Sequence, residues 1–79
     1  MSPTILREGP YRYYFNSNEE TRMHIHVVSD KGKAKFWLEP NIELSFTKDF
    51  RQNEINEILK VIQSHEQEFK DAWHKHFYR

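Results

Sequence analysis

The chain contains no cysteine, which excludes disulfide bonds and cysteine-ligated zinc sites. It also lacks any apolar run near the roughly 20 residues that a membrane-spanning helix requires. Its charges cancel, because twelve lysine and arginine residues are matched by twelve aspartate and glutamate residues. A neutral chain does not attract phosphates over its whole surface, so a strong non-specific polyanion binder is disfavoured, while a local basic patch stays open.

The N-terminal stretch MSPTILREGP has an apolar segment too short for a signal peptide. Together with the missing membrane span, this predicts a cytoplasmic protein with no membrane partner. The length of 79 residues predicts a single domain over 1–79, near the size at which folding alone becomes marginal. Aromatic residues make up 15% of the chain, and each supplies a large area for burial.

Two hydrophobic periods divide the chain. Strand-like alternation predicts an antiparallel sheet over residues 1–46, and apolar residues spaced by three and four predict a helical segment over 50–79. The expected fold is α+β: a four-stranded antiparallel meander of two β-hairpins, covered on one face by one long or two consecutive C-terminal α-helices. The stretch NIELSF after Pro40 is either a short extra strand or a bridging loop.

The first predicted hairpin joins TILRE to YRYYFN through Gly9-Pro10, a dipeptide typical of turns. Alternation along its second strand places three aromatic residues on the apolar side of the sheet, which would leave Arg12 and Tyr14 on the polar side. The three inward residues are Tyr11, Tyr13 and Phe15.

The second predicted hairpin joins MHIHVV to KAKFWLE through Ser29–Gly32. A four-residue loop with Gly32 in the left-handed conformation places Val28 opposite Lys33, whereas a three-residue loop with a bulge mixes polar and apolar side chains. The four-residue loop is favoured because it gives the sheet one dry face. The apolar face then carries Met23, Ile25, Val27, Ala34, Phe36 and Leu38. The polar face carries His24, His26, Lys35, Trp37 and Glu39.

The helical segment is too long for the sheet beneath it. One helix from Gln52 onward spans roughly 40 Å, whereas a six-residue strand covers about 20 Å. A capping-box pattern at Ser64, SHEQ, predicts a break there, and a continuous helix is the alternative. A continuous helix would leave Phe69, Trp73 and Phe77 beyond the sheet, where a second copy is the simplest cover, so a homodimer is one expectation.

The motifs YRYYFNSNE, HIHV, KFWLEP and AWHKHF, taken in order, resemble a family of small bacterial and phage-borne proteins known as domain of unknown function 4160. The resemblance covers nearly the whole chain. The family's pattern falls on Arg12, Phe15, Ser17, Asn18, Glu19, His24, His26, Phe36, Trp37, Leu38, Glu39, Pro40, Trp73 and His74. Genes of this family often lie beside a second small gene, which implies a toxin–antitoxin-like module with a cognate protein partner.

The pair His24 and His26 is the main chemical signal. Residues i and i+2 of a strand point to the same side, about 7 Å apart at the Cα atoms. Histidine titrates near neutral pH, so the two imidazoles can act as general acid and base. If the chain is an enzyme, the pattern predicts a metal-independent endoribonuclease that needs no cofactor and acts on RNA, with Arg12 and Lys35 as phosphate contacts.

The same face supports other interpretations. Trp37 is expected to stack on a base, and Tyr14, Glu39 and His74 are further candidates for binding. Alternatively, this face forms a non-catalytic module for protein interaction or regulation, of antitoxin type, with Trp37 as an interface anchor. A third hypothesis is a metal half-site of His24 and His26, but zinc takes four ligands and no others lie at a fixed spacing, so no metal is favoured.

Overall fold

A computed structural model describes residues 4–16 and 22–77 of the chain. They form an α+β fold in which five antiparallel strands of one open sheet, in the order β1-β2-β3-β4-β5, are followed by two helices. The strands are β1 (Thr4–Glu8), β2 (Tyr11–Tyr14), β3 (His24–Val28), β4 (Lys33–Trp37) and β5 (Glu43–Lys48). The helices are α1 (Gln52–Ser64) and α2 (Glu66–Phe77). None of the helices in the described ranges is long and apolar enough to span a membrane.

The expectation of four strands is wrong, because β5 adds a fifth strand beside β4. All six residues of β5 are exposed, so no buried apolar alternation marks this segment as a strand. A shift in register opposite Lys35 and Phe36 interrupts the period further. The sheet therefore continues to Lys48, beyond the expected limit at residue 46.

The first hairpin has the predicted strands and turn. Gly9 adopts a φ of 59°, a left-handed conformation that residues with a side chain rarely adopt. Beyond this turn β1 and β2 pair antiparallel, with Arg7 opposite Arg12. The three aromatic residues expected to face inward are all buried, namely Tyr11, Tyr13 and Phe15.

The predicted register of the second hairpin is confirmed. His24 lies opposite Trp37 and His26 lies opposite Lys35, as the four-residue loop requires. The predicted apolar face is buried throughout, with Met23, Ile25, Val27, Ala34, Phe36 and Leu38. Binary alternation therefore identified the correct pairing of β3 and β4.

Gly32 is needed for a reason that the sequence did not reveal. The loop closes through a hydrogen bond from the Ser29 N–H to the Gly32 carbonyl at 3.0 Å. The predicted left-handed conformation of Gly32 is wrong, since Gly9 is the described glycine with a positive φ. A Cβ atom at Gly32 would instead collide with the backbone oxygen of Lys48, so the glycine permits close approach of the chain that leaves β5.

The helical segment forms two consecutive helices that meet at His65. The predicted break at Ser64 is one residue early, because Ser64 is the last residue of α1 and does not begin α2. Its hydroxyl donates back to the Lys60 carbonyl at 2.9 Å, the usual bond of a serine inside a helix. The His65 N–H donates to the Val61 carbonyl at 3.0 Å, which closes the last turn of α1.

The helices cover one side of the sheet, here called the inner face, and the core lies between them. Tyr13 stacks on Phe69 with ring centroids 5.7 Å apart, and Phe15 packs edge-on against Trp73 at 5.2 Å. Phe69 and Trp73 are thus buried within the chain itself. An overhanging apolar stripe, the predicted reason for a homodimer, is therefore not formed by these two residues.

Candidate nucleic-acid interface

The side of the sheet away from the helices, here called the outer face, concentrates positive charge. The strand pairing places five cations on it: Arg7, Arg12, Lys33, Lys35 and Lys48. Arg7 lies directly opposite Arg12, and Lys33 lies directly opposite Lys48. Like charges in such positions destabilise a sheet, so an anion bound on this face would relieve both pairs. Among the described strand residues, Glu43 is the acid that shares the face.

A cleft of about 270 Å³ lies on the outer face, across β2, β3, β4 and β5. Its lining combines two aromatic rings, an imidazole, an amide and two ammonium groups. The lining residues are Tyr14, Asn16, His26, Lys33, Ala34, Lys35 and Phe46. Of the residues predicted for a site, three line the cleft directly: Tyr14, His26 and Lys35.

His26 is the histidine that the cleft contains. Its ring stacks on Tyr14 with centroids 5.3 Å apart and an interplanar angle of 23°. The side-chain nitrogen of Asn16 lies 3.1 Å from His26 Nε2. Since an amide N–H donates, Nε2 accepts this bond, which assigns the proton of the neutral imidazole to Nδ1. With Lys35 directly opposite, His26 combines a basic nitrogen with a neighbouring cation.

The expectation that both imidazoles are exposed is wrong for His24. The two rings do lie on the same side of β3, with centroids 5.1 Å apart. His24, however, is 0% exposed, because Trp73 of α2 lies against it at 5.2 Å and Trp37 at 5.6 Å. Its Nδ1–H donates to the Arg22 carbonyl at 2.7 Å. Sealed in this way, His24 does not contact a ligand held in the cleft.

Trp37 lies close to two cations. The Arg22 guanidinium carbon lies 4.1 Å from a Trp37 ring centroid, and the Lys35 ammonium lies 4.4 Å from it. Cations at this distance interact favourably with the electron-rich face of an indole. The predicted stacking of a base on Trp37 stays a prediction, and the indole also serves to position Lys35.

Arg12 joins the outer face as predicted. Its guanidinium lies 4.6 Å above the Tyr14 ring, and its Nε–H donates to the Thr4 hydroxyl at 2.6 Å. These contacts hold the side chain along β1 and β2, next to the cleft and outside its lining. Arg12 is thus placed to bind a phosphate that extends beyond the cleft.

Glu39 and His74 do not enter the cleft. The Glu39 carboxylate accepts from the Met23 N–H at 3.2 Å, and the Glu39 carbonyl accepts from Arg22 Nε–H at 2.9 Å. Glu39 therefore ties the start of β3 to the end of β4. His74 is exposed on α2. Across residues 4–16 and 22–77, no three histidine, aspartate or glutamate side chains are grouped to hold a metal ion.

Three residues of the cleft were not predicted from the sequence: Asn16, Lys33 and Phe46. Asn16 follows Arg12 and Tyr14 at the same spacing of two, so the alternation of β2 could have indicated it. Lys33 had been placed opposite Val28 without a functional role. Phe46 was missed because NIELSF was not assigned to a strand, yet its side chain is 49% exposed and offers an open aromatic ring.

A family model described as "Domain of unknown function (DUF4160)" matches residues 11–74, which contain every strand of the cleft. No curated protein and no solved structure gives a significant match. Of the positions that carry the resemblance, Ser17, Asn18 and Glu19 lie outside the described residues. The match spans well over half of the chain, and the chain therefore belongs to the DUF4160 family.

Proposed function

We propose that this chain binds single-stranded RNA on its outer face and acts as the RNA-binding component of a two-gene module of toxin–antitoxin type. The observation that carries the proposal is the composition of the cleft. Lys33 and Lys35 stand beside His26, and the open ring of Phe46 forms part of the same lining.

The aromatic and cationic groups of the cleft suit a single strand better than a duplex. An unpaired base can stack on an exposed ring such as Phe46, whereas a base inside a duplex cannot reach it. The ammonium groups of Lys33 and Lys35 then neutralise the flanking phosphates. Arg12 extends the positive surface along the neighbouring strand. A neutral chain can therefore bind RNA through one local patch, although its overall charge attracts none.

Binding is tested by fluorescence anisotropy of a labelled oligouridine with the wild-type chain, Lys35→Ala and Lys60→Ala. Lys60 is the matched control, because it is an exposed lysine on α1, away from the cleft. We expect Lys35→Ala to weaken binding and to lower the slope of log K against log salt by about 0.7, the value for one phosphate contact on a single strand. Lys60→Ala should change neither quantity.

Phe46→Ala separates stacking from charge in the same assay. Loss of one base–aromatic contact weakens binding by about 1–3 kcal/mol and leaves the salt slope unchanged. The proposal fails if the wild-type chain does not bind the oligouridine, or if Lys35→Ala and Lys60→Ala weaken binding equally.

Cleavage of the bound RNA is a second activity that the position of His26 favours. In the expected reaction, the ribose 2′-hydroxyl displaces the Asn16 amide N–H from His26 Nε2. Nε2 then takes the proton of this hydroxyl, whose oxygen attacks the adjacent phosphorus. The bond to the 5′-oxygen breaks, and this oxygen takes a proton from solvent water, which gives a 2′,3′-cyclic phosphate and a 5′-hydroxyl. Lys35, opposite His26, stabilises the charge that builds up on the phosphate oxygens.

A gel assay with EDTA present tests this activity. Products with the two predicted ends, absent with His26→Ala, are the expected result. The earlier hypothesis of a His24 and His26 pair predicts that His24→Ala abolishes cleavage as well; burial of His24 instead leads us to expect residual cleavage in any His24→Ala chain that remains folded. Cleavage unaffected by His26→Ala would exclude this role.

The two-gene context rests on the gene arrangement that the family resemblance implies. A toxin of this type stops bacterial growth when it is expressed alone, and expression of the neighbouring gene restores growth. If the chain does not inhibit growth but relieves inhibition by its neighbour, it is the antitoxin-like member. If the wild-type chain also fails to bind the oligouridine, loss of that relief in Trp37→Ala or Lys35→Ala would then favour a protein partner on the outer face over RNA.

A further inference from the structure

The strand β5 forms an open edge of the sheet. One side of it pairs with β4, and all six of its residues are exposed. The exposed large hydrophobic residues of the described chain are both in this strand: Leu44 at 45% and Phe46 at 49%. An edge strand with exposed apolar residues is a template for pairing with another strand. The aromatic residues of α2 contact Tyr13, Phe15 and His24, which lie outside β5.

We infer that β5 pairs antiparallel with β5 of a second copy of this chain. The sequence Glu43-Leu44-Ser45-Phe46-Thr47-Lys48 has opposite charges at its two ends. When two such strands run antiparallel about their midpoint, Glu43 of each copy lies opposite Lys48 of the other. This pairing creates two symmetric contacts between opposite charges.

The faces of the sheet agree with this register. Glu43 lies opposite Trp37 and Lys48 opposite Lys33, so both charged ends are on the outer face. Between them, Leu44 lies opposite Phe36 and Thr47 opposite Ala34, which places both on the inner face. A twofold axis perpendicular to the sheet therefore joins outer residues to outer residues and inner residues to inner residues. Without the register shift within β5, Glu43 and Lys48 would face opposite sides of the sheet. With it, the order of outer and inner residues is the same from either end of the strand.

The electrostatics of the outer face favour the same partner. Within one chain Lys48 lies directly opposite Lys33, an unfavourable pair. In the dimer Glu43 of the second copy lies on the other side of Lys48 and offsets this repulsion. A strand from an unrelated protein would need an acid at that position, whereas a second copy supplies it by symmetry.

The dimer would form one continuous sheet of ten strands with both clefts on the same side. Neighbouring strands are about 4.8 Å apart, so five spacings separate the two His26 positions by roughly 24 Å. Side chains stand perpendicular to a sheet, so the two Phe46 rings, each at the edge of its own cleft, would lie near each other and connect the two clefts. The inference concerns self-association and does not depend on RNA binding.

Sedimentation equilibrium without RNA tests the inference with four chains: wild type, Glu43→Lys, Lys48→Glu and the double exchange Glu43→Lys/Lys48→Glu. We expect a monomer–dimer equilibrium for the wild type. Each single exchange should raise the dimer dissociation constant about tenfold or more, because two attractions become two repulsions. The double exchange should restore dimerisation, because it rebuilds both opposite-charge contacts in reverse.

Glu43→Lys should keep the wild-type thermal midpoint by circular dichroism when measured as a monomer, since Glu43 is exposed. Lys48→Glu and the double exchange should have an equal or slightly higher midpoint, because they also remove the repulsion between Lys33 and Lys48. A wild-type chain that is monomeric at every concentration would overturn the inference and leave β5 to a strand of another protein. A dimer that all three variants preserve equally would also overturn it, because the interface would then lie elsewhere.

Discussion

The two faces of the sheet differ although the same strands form both. On β4, Phe36 is 1% exposed beneath the helices, whereas its neighbour Lys35 lines the cleft on the opposite side. The inner face is held by packing between aromatic and aliphatic side chains. The outer face carries like-charge pairs that reduce stability. The difference indicates that the inner face supplies the stability that permits an outer face suited to an anionic ligand.

His24 and His26 show where along β3 the outer face changes from exposed to buried. Both belong to the outer side of β3, and their rings are in contact. Trp73 of α2 lies against His24 at the start of the strand, so that this histidine becomes part of the core, while His26 stays in the cleft. Trp73, which is distant from β3 in the sequence, thus determines how far the exposed part of the outer face extends along this strand.

The largest expected effect comes from truncating the inner face. Phe36→Ala should lower the free energy of unfolding by about 3–5 kcal/mol, because it leaves a cavity in the core. The neighbouring Lys35→Ala should change it by less than about 0.5 kcal/mol, since it removes a surface charge. Urea denaturation followed by circular dichroism measures both values. Similar losses in the two variants would contradict the division of roles between the faces.

The two histidines offer a finer comparison on a single strand. His24→Ala should cost about 2 kcal/mol of stability, because it removes a buried ring and its hydrogen bond to the Arg22 carbonyl. His26→Ala should cost less than about 1 kcal/mol, since its side chain is only half-buried. The same denaturation experiment applies. If His26→Ala proved the more destabilising change, the assignment of His24 to the core would be wrong.

A substitution at Tyr13 is expected to change the free energy of unfolding by a smaller amount and to increase it. Its hydroxyl is buried and has no hydrogen-bond partner among the described residues. Tyr13→Phe should therefore raise the free energy of unfolding by about 1 kcal/mol, because it removes an unsatisfied polar group and keeps the ring that stacks on Phe69. A decrease of that size would mean that the hydroxyl makes a favourable interaction.

The pH dependence of stability tests the same residue. Burial raises the pKa of Tyr13 above its usual value of 10.0, and it likewise raises the pKa of Tyr11, where Glu57 adds to the effect. A raised pKa means that the folded state favours the neutral phenol. The stabilisation that these two neutral phenols give the folded state is therefore complete below about pH 10, and it is lost as the pH rises further. Unfolding measured above pH 10 should show this loss, and Tyr13→Phe should reduce it.

Much of the sheet was predictable because its inner face is buried. Alternation with period two identified the pairing of β3 with β4 and the inward residues of β2, since one wrong step would have buried charges. The segment of β5 stayed undecided between a strand and a loop because neither of its sides is buried. The role of Gly32 also depends on contact with the chain after β5, which no local pattern reveals.

The site was predictable only in part for the same reason. Register placed Tyr14, His26 and Lys35 together, because neighbours across strands follow from alternation. The burial of His24 depends on where α2 ends relative to the sheet, and the inclusion of Phe46 depends on the fifth strand. Both are consequences of tertiary packing, so hydrophobic periodicity carries no information about them.

The two tryptophans allow the most direct test of the central claim, that RNA binds the outer face. Trp37 lies on that face beside Lys35, and Trp73 is buried among the core aromatics. Titration of a ¹⁵N-labelled chain with an oligouridine is followed through the two indole N–H signals. We expect the Trp37 signal to shift progressively while the Trp73 signal stays in place. A shift of Trp73 without Trp37, or no shift of either signal, would contradict the claim.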